Sequence, residues 1–262
     1  MRSGLVFKFI SKVMLLWLLV LSCDELPRDN LLDPKNSSGY RESVVFIEAF
    51  VNTHNPYQYN EFTLDALDEI ESVYGNRVVI AEYHRNITLP DTIYSDPYYS
   101  LQNEQLYWRY VDAADPGSIG VPDVFINGYQ NRVQGASSSS AARDRISKIV
   151  GSLVTEKNEY TIESDLRING SVIQAKCRIA RLGNQAADEM LLKMILINNY
   201  GETGLKRVVD DISLPVTIAG LDAGSYIEKD ISQTFINEPD AVIIVLTSND
   251  GLLIYQALKI DL

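Results

Sequence analysis

The stretch SVVFIEAFVNTHNPYQYNEFTLDALDEIESVYGNRVVIAEY, residues 43–83, decides the expected fold. Residues 43–51 are a dense apolar run rich in β-branched and aromatic side chains, which predicts a buried strand. Residues 59–74 carry apolar side chains at helical spacing with acids between them, and Gly75 follows in the manner of a C-cap. A second apolar run at residues 77–83 completes a strand, helix and strand, which predicts a βαβ unit with a parallel pair.

The chain continues with a loop rich in tyrosine and proline and then with further regular elements. Asn-Gly is a strong hairpin signal between two strand-like runs, and a serine run before an amphipathic stretch is typical of a helix N-cap. The elements predicted from these patterns are a helix at 101–114, strands at 120–126 and 132–135 joined at Asn127-Gly128, and a helix at 141–153.

From residue 158 onward, seven alternating or apolar runs are separated by Gly, Asn and Asp turns. Seven short strands in about a hundred residues predict an antiparallel, Ig-like β-sandwich domain at 158–262. In one of these runs the alternation places Cys177 on the inward face of a strand, where cysteine acts as a small apolar side chain. The domain boundary is expected at residues 154–158.

The N-terminal 42 residues are predicted to lie outside the fold. Residues 1–22 combine three basic residues with a nine-residue apolar run, which suits a signal peptide and is too short to span a bilayer. The sequence Val-Leu-Ser before Cys23 resembles the lipobox of bacterial lipoproteins, and this resemblance implies lipidation at Cys23. A plain signal peptide that contains a cysteine is the alternative. Residues 23–42 are polar and broken by prolines, and they are interpreted as a tether.

Residues 43–153 resemble a thioredoxin fold. The element order is the same, and Gly120-Val121-Pro122 matches the loop whose proline is cis in that family. The chain is most similar to exported thioredoxin-like outer-membrane lipoproteins with a β-rich C-terminal half. The resemblance implies a thioredoxin-like α/β domain at 43–153, a cis Val121–Pro122 bond, and attachment to the bacterial outer membrane through a lipid, on its periplasmic or its external face.

The same resemblance places Asn55 and Gln58 where the family has its two catalytic cysteines. Thiol–disulfide exchange needs a thiolate and an accepting sulfur, and two amides supply neither. The phenols of Tyr57 and Tyr59 are poor nucleophiles at neutral pH. We therefore expect no thioredoxin-like activity, no catalytic residues and no cofactor.

Other chemistry finds little support in the residues. His54 and His84 could approach each other, but they lack the local spacing of metal ligands, so no metal site is predicted. The formal net charge of −12, without a basic run, argues against a nucleic-acid partner. A thiol-independent envelope enzyme, metal-dependent in one form, is the alternative to a non-enzymatic protein.

The function left by the loss of the cysteines is binding. In the thioredoxin family the residue before the cis-proline offers its backbone to an extended peptide, and here that residue is Val121. Tyr94, Tyr98 and Tyr99 have two interpretations, recognition of a partner or packing of a long loop. The expected function is a redox-inactive module that binds peptides or envelope proteins, or that has a structural role. Its predicted binding residues are His54, Asn55, Pro56, Tyr57, Gln58, Val121 and Pro122.

Overall fold

The computed structural model describes residues 30, 32–33, 40–182, 188–201 and 205–262. The predicted signal peptide, Cys23 and most of the tether lie outside the described residues. The described part contains three α-helices: α1 (Tyr59–Tyr74), α2 (Leu101–Ala114) and α3 (Ser139–Leu153). No helix in that part is both long and apolar enough to cross a membrane.

Sixteen strands account for most of the regular structure. They are β1 (Arg41–Glu42), β2 (Val45–Val51), β3 (Val78–His84), β4 (Ile87–Leu89), β5 (Thr92–Tyr94), β6 (Asp123–Ile126), β7 (Asn131–Gln134), β8 (Lys157–Asn158), β9 (Tyr160–Asn169), β10 (Val172–Arg181), β11 (Met190–Asn198), β12 (Val208–Ile212), β13 (Val216–Ile218), β14 (Tyr226–Thr234), β15 (Ala241–Ser248) and β16 (Ile254–Asp261).

The main sheet has nine strands in the order β16-β15-β11-β12-β3-β2-β6-β7, with β13 added beside β11. Strands β2 and β3 pair in parallel over their whole length, from Val45 opposite Val78 to Val51 opposite His84. Their carboxyl ends therefore finish side by side, where the chain leaves each strand for a loop. A second sheet, β14-β10-β9, lies in the C-terminal half, and the pairs β1-β8 and β4-β5 are small separate sheets.

The expected fold class, a thioredoxin-like α/β domain followed by a separate β-sandwich domain, is wrong. The described chain is mostly β, with several sheets and only the three helices. Its main sheet also crosses the expected boundary, because Val208 of β12 pairs in parallel with Glu82 of β3. Hydrophobic periodicity predicts that a segment is a strand but does not name its partner strand, and here the outer edge of β3 is covered by the C-terminal half.

Several local predictions are confirmed. The parallel pair of the βαβ unit forms, and the helices lie within two residues of their expected limits. The hydroxyl of Ser138 caps α3 by accepting a hydrogen bond from the Ala141 N–H at 3.2 Å. Cys177 is fully buried in β10. The residue limits 43–153 and 158–262 stay a prediction, since the two segments share a sheet.

Three apolar clusters form the core, and alternation along β2 divides two of them. The side chains of Val45, Ile47, Ala49 and Val51 face α1 and α3. Phe46 and Phe50 point to the opposite face, where they pack with α2 and with strands β11, β12, β15 and β16 of the C-terminal half. The third cluster fills the space between β9-β10-β14 and the C-terminal strands of the main sheet, in a sandwich-like arrangement. The sheet of the first half is thus covered on one face by α1 and α3, and on the other by α2 and the second half.

A buried ion-pair cluster fixes the junction between the halves. Arg207, which precedes β12, contacts Glu82 at 2.8 Å, Asp68 at 2.8 Å and Glu71 at 2.7 Å. Glu82 has no exposed surface and Arg207 is almost fully buried. Burial raises the pKa of Asp68, but the lowering by Lys206 and Arg207 outweighs it, and the pKa ends below its ordinary value. One cation therefore ties β12 to both α1 and β3.

Candidate functional site

The predicted loop joins β2 to α1 at the carboxyl end of the parallel pair. Asn55 is half-buried, whereas His54, Pro56, Tyr57 and Gln58 are exposed. A surface depression of about 310 Å³ lies over the loop and the first turns of α1. It is lined by Asn52, Thr53, Asn55, Pro56, Tyr57, Gln58, Asn60, Glu61 and Leu64.

The loop is held from below by the fully buried side chain of Asn52. Its Nδ2 donates to the carbonyl oxygens of Arg85 at 2.7 Å and Tyr94 at 2.9 Å, and its Oδ1 accepts from the His54 N–H at 2.9 Å. The Asn60 side chain completes the support by donating to the Asn52 carbonyl at 3.0 Å. The two loops that follow β2 and β3 are therefore fastened to each other by one amide.

A second support is the buried pair of His84 and Asp96. His84 Nδ1 lies 3.1 Å from each carboxylate oxygen of Asp96, and both side chains are fully buried. The Thr53 N–H and hydroxyl also donate to Asp96, at 2.7 and 3.0 Å, as does the Tyr98 N–H at 2.9 Å. Burial raises the pKa of Asp96, but the hydrogen bonds from His84, Thr53 and Tyr98 outweigh it, so the net shift is downward. Asp96 acts as the anchor of the tyrosine-rich loop.

The two histidines contact neighbouring residues of that loop. His54 Nδ1 lies 2.7 Å from the Ser95 carbonyl oxygen, which accepts from the ring. The Nε2 of His84 is buried and has no hydrogen-bond partner within the described chain. Across residues 40–182, 188–201 and 205–262, no group of three or more His, Cys, Asp or Glu side chains is placed to hold a metal ion.

The tyrosines of the region divide between packing and exposure. Tyr98 packs edge-on against His84, with ring centroids 5.3 Å apart, and against Tyr200 at 4.8 Å. Tyr57 and Tyr59 stack on each other with ring centroids 6.1 Å apart, yet they remain 54% and 48% exposed. The packing interpretation therefore applies to Tyr98, while the exposed aromatic surface lies mainly in the loop that begins α1.

The Val121–Pro122 peptide bond is cis, as the resemblance of Gly120-Val121-Pro122 to the thioredoxin-family loop implied. Gly120, the residue before Val121, is held by the Tyr107 hydroxyl. That hydroxyl lies 3.1 Å from the Gly120 carbonyl oxygen and accepts from the Gly120 N–H at 3.0 Å. The Pro122 carbonyl accepts from the Gly135 N–H at 3.0 Å. Val121 itself is half-buried, and neither its N–H nor its C=O has a hydrogen-bond partner among the described residues.

The residue after the proline is a buried acid. Asp123 is bound by Arg132, whose Nε donates at 2.8 Å, and by the Tyr107 hydroxyl at 3.1 Å. Burial raises the pKa of Asp123 above its ordinary value, because it outweighs the lowering by Arg132 and Tyr107. This cluster fixes the first residue of β6, two residues after Val121.

The predicted binding residues fall into two groups. Asn55, Pro56, Tyr57 and Gln58 line the depression, whereas His54, Val121 and Pro122 do not. The antiparallel pairing of β2 with β6 ends with Phe50 opposite Asp123. If the same register continued, Pro122 would lie beside Val51, and Val121 would lie beside Asn52.

Sequence reasoning missed the two residues that organise this region, Asn52 and Asp96. The position of Asn52, directly after an apolar strand, was an available signal, because a short polar side chain there commonly bonds to neighbouring backbone. Asp96 carried no comparable signal, since an acid between serine and proline is ordinary in a loop.

Comparison with known proteins gives a likeness of fold alone. No family model matches the chain, and no curated protein matches it. The structure is similar to HBP35 of Porphyromonas gingivalis, with a TM-score of 0.63 and 14% identity over 84% of this chain and 76% of that one. It is also similar to a structural-genomics protein from Agrobacterium tumefaciens, with a TM-score of 0.53 and 16% identity over 84% of this chain and 95% of that one. At such identities these likenesses concern the arrangement of the chain and not its activity.

Proposed function

We propose that this protein is a non-enzymatic binding module of the bacterial envelope, attached to the outer membrane through a lipid on Cys23. Its ligand is an extended polypeptide segment, which pairs with the backbone of Val121 and lies across the loop formed by residues 54–58. The observation that carries the proposal is that the N–H and C=O of Val121, two residues before β6, have no hydrogen-bond partner among the described residues. A single residue that offers both groups can bond to an added strand through both.

The surroundings of Val121 suit recognition of a side chain next to that backbone. Tyr57 and Tyr59 present a stacked aromatic pair to solvent, and aromatic side chains bury large area at low entropy cost. The loop beneath them is fastened by Asn52 and Asp96, so little conformational entropy is lost when a ligand binds. Asn55 and Gln58 offer amides in place of thiols, which supports binding without chemistry.

The test begins with a displayed library of random linear peptides selected on the folded chain. Dissociation constants of the enriched peptides are then measured by fluorescence polarisation. The double variant Tyr57→Ala, Tyr59→Ala should bind at least about tenfold more weakly, in keeping with loss of an aromatic anchor. The matched control is Val73→Ala, Ile236→Ala, which removes two exposed apolar side chains at the far end of α1 and after β14.

Backbone pairing is tested separately by N-methylation of each selected peptide, one residue at a time. The peptide residue opposite Val121 should lose about tenfold in affinity when methylated, since its hydrogen bond is removed, whereas the adjacent residues should not. A failure to select peptides, equal affinity of the tyrosine and control variants, or indifference to N-methylation would overturn the binding proposal.

Lipid attachment has its own measurement. Mass spectrometry of the protein purified from membranes should find a lipid-modified N-terminus at Cys23, and Cys23→Ser should release the protein from the membrane fraction. A mature product that begins at another residue would refute the anchoring while leaving the peptide experiment unaffected.

A further inference from the structure

A cavity of about 210 Å³ lies at the junction of the two halves, away from the proposed peptide site. Its walls come from β2 and β3, from α2, and from strands β11, β12, β15 and β16. Most of its lining is apolar and includes aromatic rings such as Phe46 and Tyr110. For comparison, an apolar protein cavity of about 150 Å³ holds one benzene molecule. This cavity therefore has room for a six-membered ring and a small substituent.

Three polar groups of the cavity wall are underused by the protein. Glu48 is 2% exposed and accepts one hydrogen bond, from the Tyr110 hydroxyl at 2.6 Å. The Tyr83 hydroxyl is buried near that carboxyl and has no partner of good hydrogen-bond geometry in the described part of the chain. The Lys193 amine lies near the turn at Gly251 and interacts electrostatically with Glu48, although no close ion pair joins them among the described residues. A buried hydroxyl without a partner costs about 1–3 kcal/mol, so such groups in a cavity point to a missing partner.

We infer that this cavity binds a small uncharged aromatic molecule with one hydroxyl group. The ring fills the apolar space among Phe46, Tyr110 and the aliphatic walls, where edge and offset contacts with aromatic rings are favourable. The hydroxyl donates to the Glu48 carboxyl and accepts from the Tyr83 hydroxyl, which satisfies both at once.

The surroundings select an uncharged ligand. Burial lowers the pKa of Lys193 and raises the pKa of Glu48, so the site disfavours both the charged amine and the charged carboxylate. A ligand carrying its own charge would have to be desolvated against the same walls. The inference does not depend on the peptide-binding proposal, because it uses other residues and another face of β2.

The probes are phenol, toluene and benzoate, titrated into the full chain by isothermal calorimetry. Phenol carries the ring and the hydroxyl, toluene has similar volume without a hydrogen-bonding group, and benzoate adds a charge. Phenol should bind the wild-type protein about fivefold more tightly than toluene, and benzoate should bind most weakly. Absence of phenol binding up to its solubility limit would overturn the inference, as would stronger binding of benzoate.

Tyr83→Phe is the matched variant, because it keeps the ring in the core and removes one hydroxyl, which lies near Glu48 without a well-oriented partner among the described residues. The ratio of phenol to toluene affinity should fall in this variant but stay above unity, because the phenol hydroxyl loses the bond from Tyr83 and keeps the bond to Glu48. An unchanged ratio would refute the role of the Tyr83 hydroxyl and with it the proposed pose.

Leu106→Trp places a larger side chain at the cavity wall and locates the site. Both phenol and toluene should lose binding in this variant, with circular dichroism used to verify that it is folded. Unchanged phenol binding in a folded Leu106→Trp protein would place the phenol elsewhere and overturn the inference. If that variant does not fold, chemical-shift changes at Tyr83 on titration of the wild-type protein decide the location instead.

Discussion

Glu48→Gln should change how the stability of the protein depends on pH. Burial raises the pKa of Glu48 from 4.5 to about 7, against smaller lowering by Tyr110, Lys193 and Tyr83. Below pH 4.5 the carboxyl is protonated in both the folded and the unfolded chain. Between pH 4.5 and about 7 the unfolded chain has released this proton while the folded chain still holds it, so rising pH favours unfolding. Above that window the penalty is constant.

The size of the effect follows from the shift. A pKa difference of about 2.5, at about 1.4 kcal/mol per unit, corresponds to about 3.5 kcal/mol of unfolding free energy lost as the pH rises through the whole window. Glu48 is almost fully buried, so solvent does little to screen it. Glutamine keeps the shape of the side chain, can still accept from the Tyr110 hydroxyl, and carries no charge at any pH.

The measurement is the free energy of unfolding in urea at about pH 5 and about pH 8, for the wild type and the variant. Relative to the wild type, Glu48→Gln should gain about 2.5 kcal/mol in stability between the two conditions, because pH 5 already lies inside the window. The contributions of the other titrating groups cancel in this difference, since both proteins share them. Glu189→Gln, at an exposed position, is the matched control and should leave the pH dependence unchanged.

A stability difference between Glu48→Gln and the wild type that does not vary with pH would refute the reasoning. It would mean that the carboxyl is hydrated in the folded protein and that the cavity beside it is open to bulk water. Carbon NMR titration of the Glu48 carboxyl tests the same point directly. A pKa near the ordinary value of 4.5 would show that burial does not raise it.

Two further substitutions test the supports of the fold by urea unfolding. Arg207→Ala should cost about 3 kcal/mol or more, because it leaves the fully buried Glu82 carboxylate without its cation, whereas Arg178→Ala, which breaks exposed pairs, should cost less than about 1 kcal/mol. Asn52→Ala should cost about 1–3 kcal/mol, since two carbonyl groups lose their donor beneath the loop, and equal stability to Asn55→Ala at the loop surface would contradict the supporting role of Asn52.

Local elements could be predicted from the sequence because their signals are local. The limits of α2 agree with the expected helix at 101–114, since the helical periodicity lies within the segment and the Ser100 cap lies directly before it. The pairing of β12 with β3 could not be predicted in this way. It depends on a contact between residues 82 and 208 and on ion pairs that Arg207 forms across the same distance in sequence. Nothing in either segment alone identifies the other as its partner.

The candidate site shows the same division. The loop at residues 54–58 and the cis bond before Pro122 were predicted from short stretches, whereas the Asp96 anchor comes from a loop that returns to the site. Glu48 did carry a signal in the sequence, as a lone acid within an apolar strand. Alternation places it on the same face as Phe46 and Phe50, so its burial could have been inferred.

The packing that overturns the expected fold class is also what creates the environment of Glu48. In a separate α/β domain the face of β2 that bears Glu48 would be covered by α2 and otherwise open to water, and the carboxyl would titrate as an ordinary acid. Instead β11 and β15 of the second half close over that face and bring Lys193 and Val245 to the cavity wall. A carboxyl group buried in the core of one half is tolerated only where the other half supplies a compensating cation or keeps the group protonated. The stability of the first half and the chemistry of the cavity therefore both depend on the junction. If the junction is one cooperative unit, Arg207→Ala should weaken phenol binding as well as the fold.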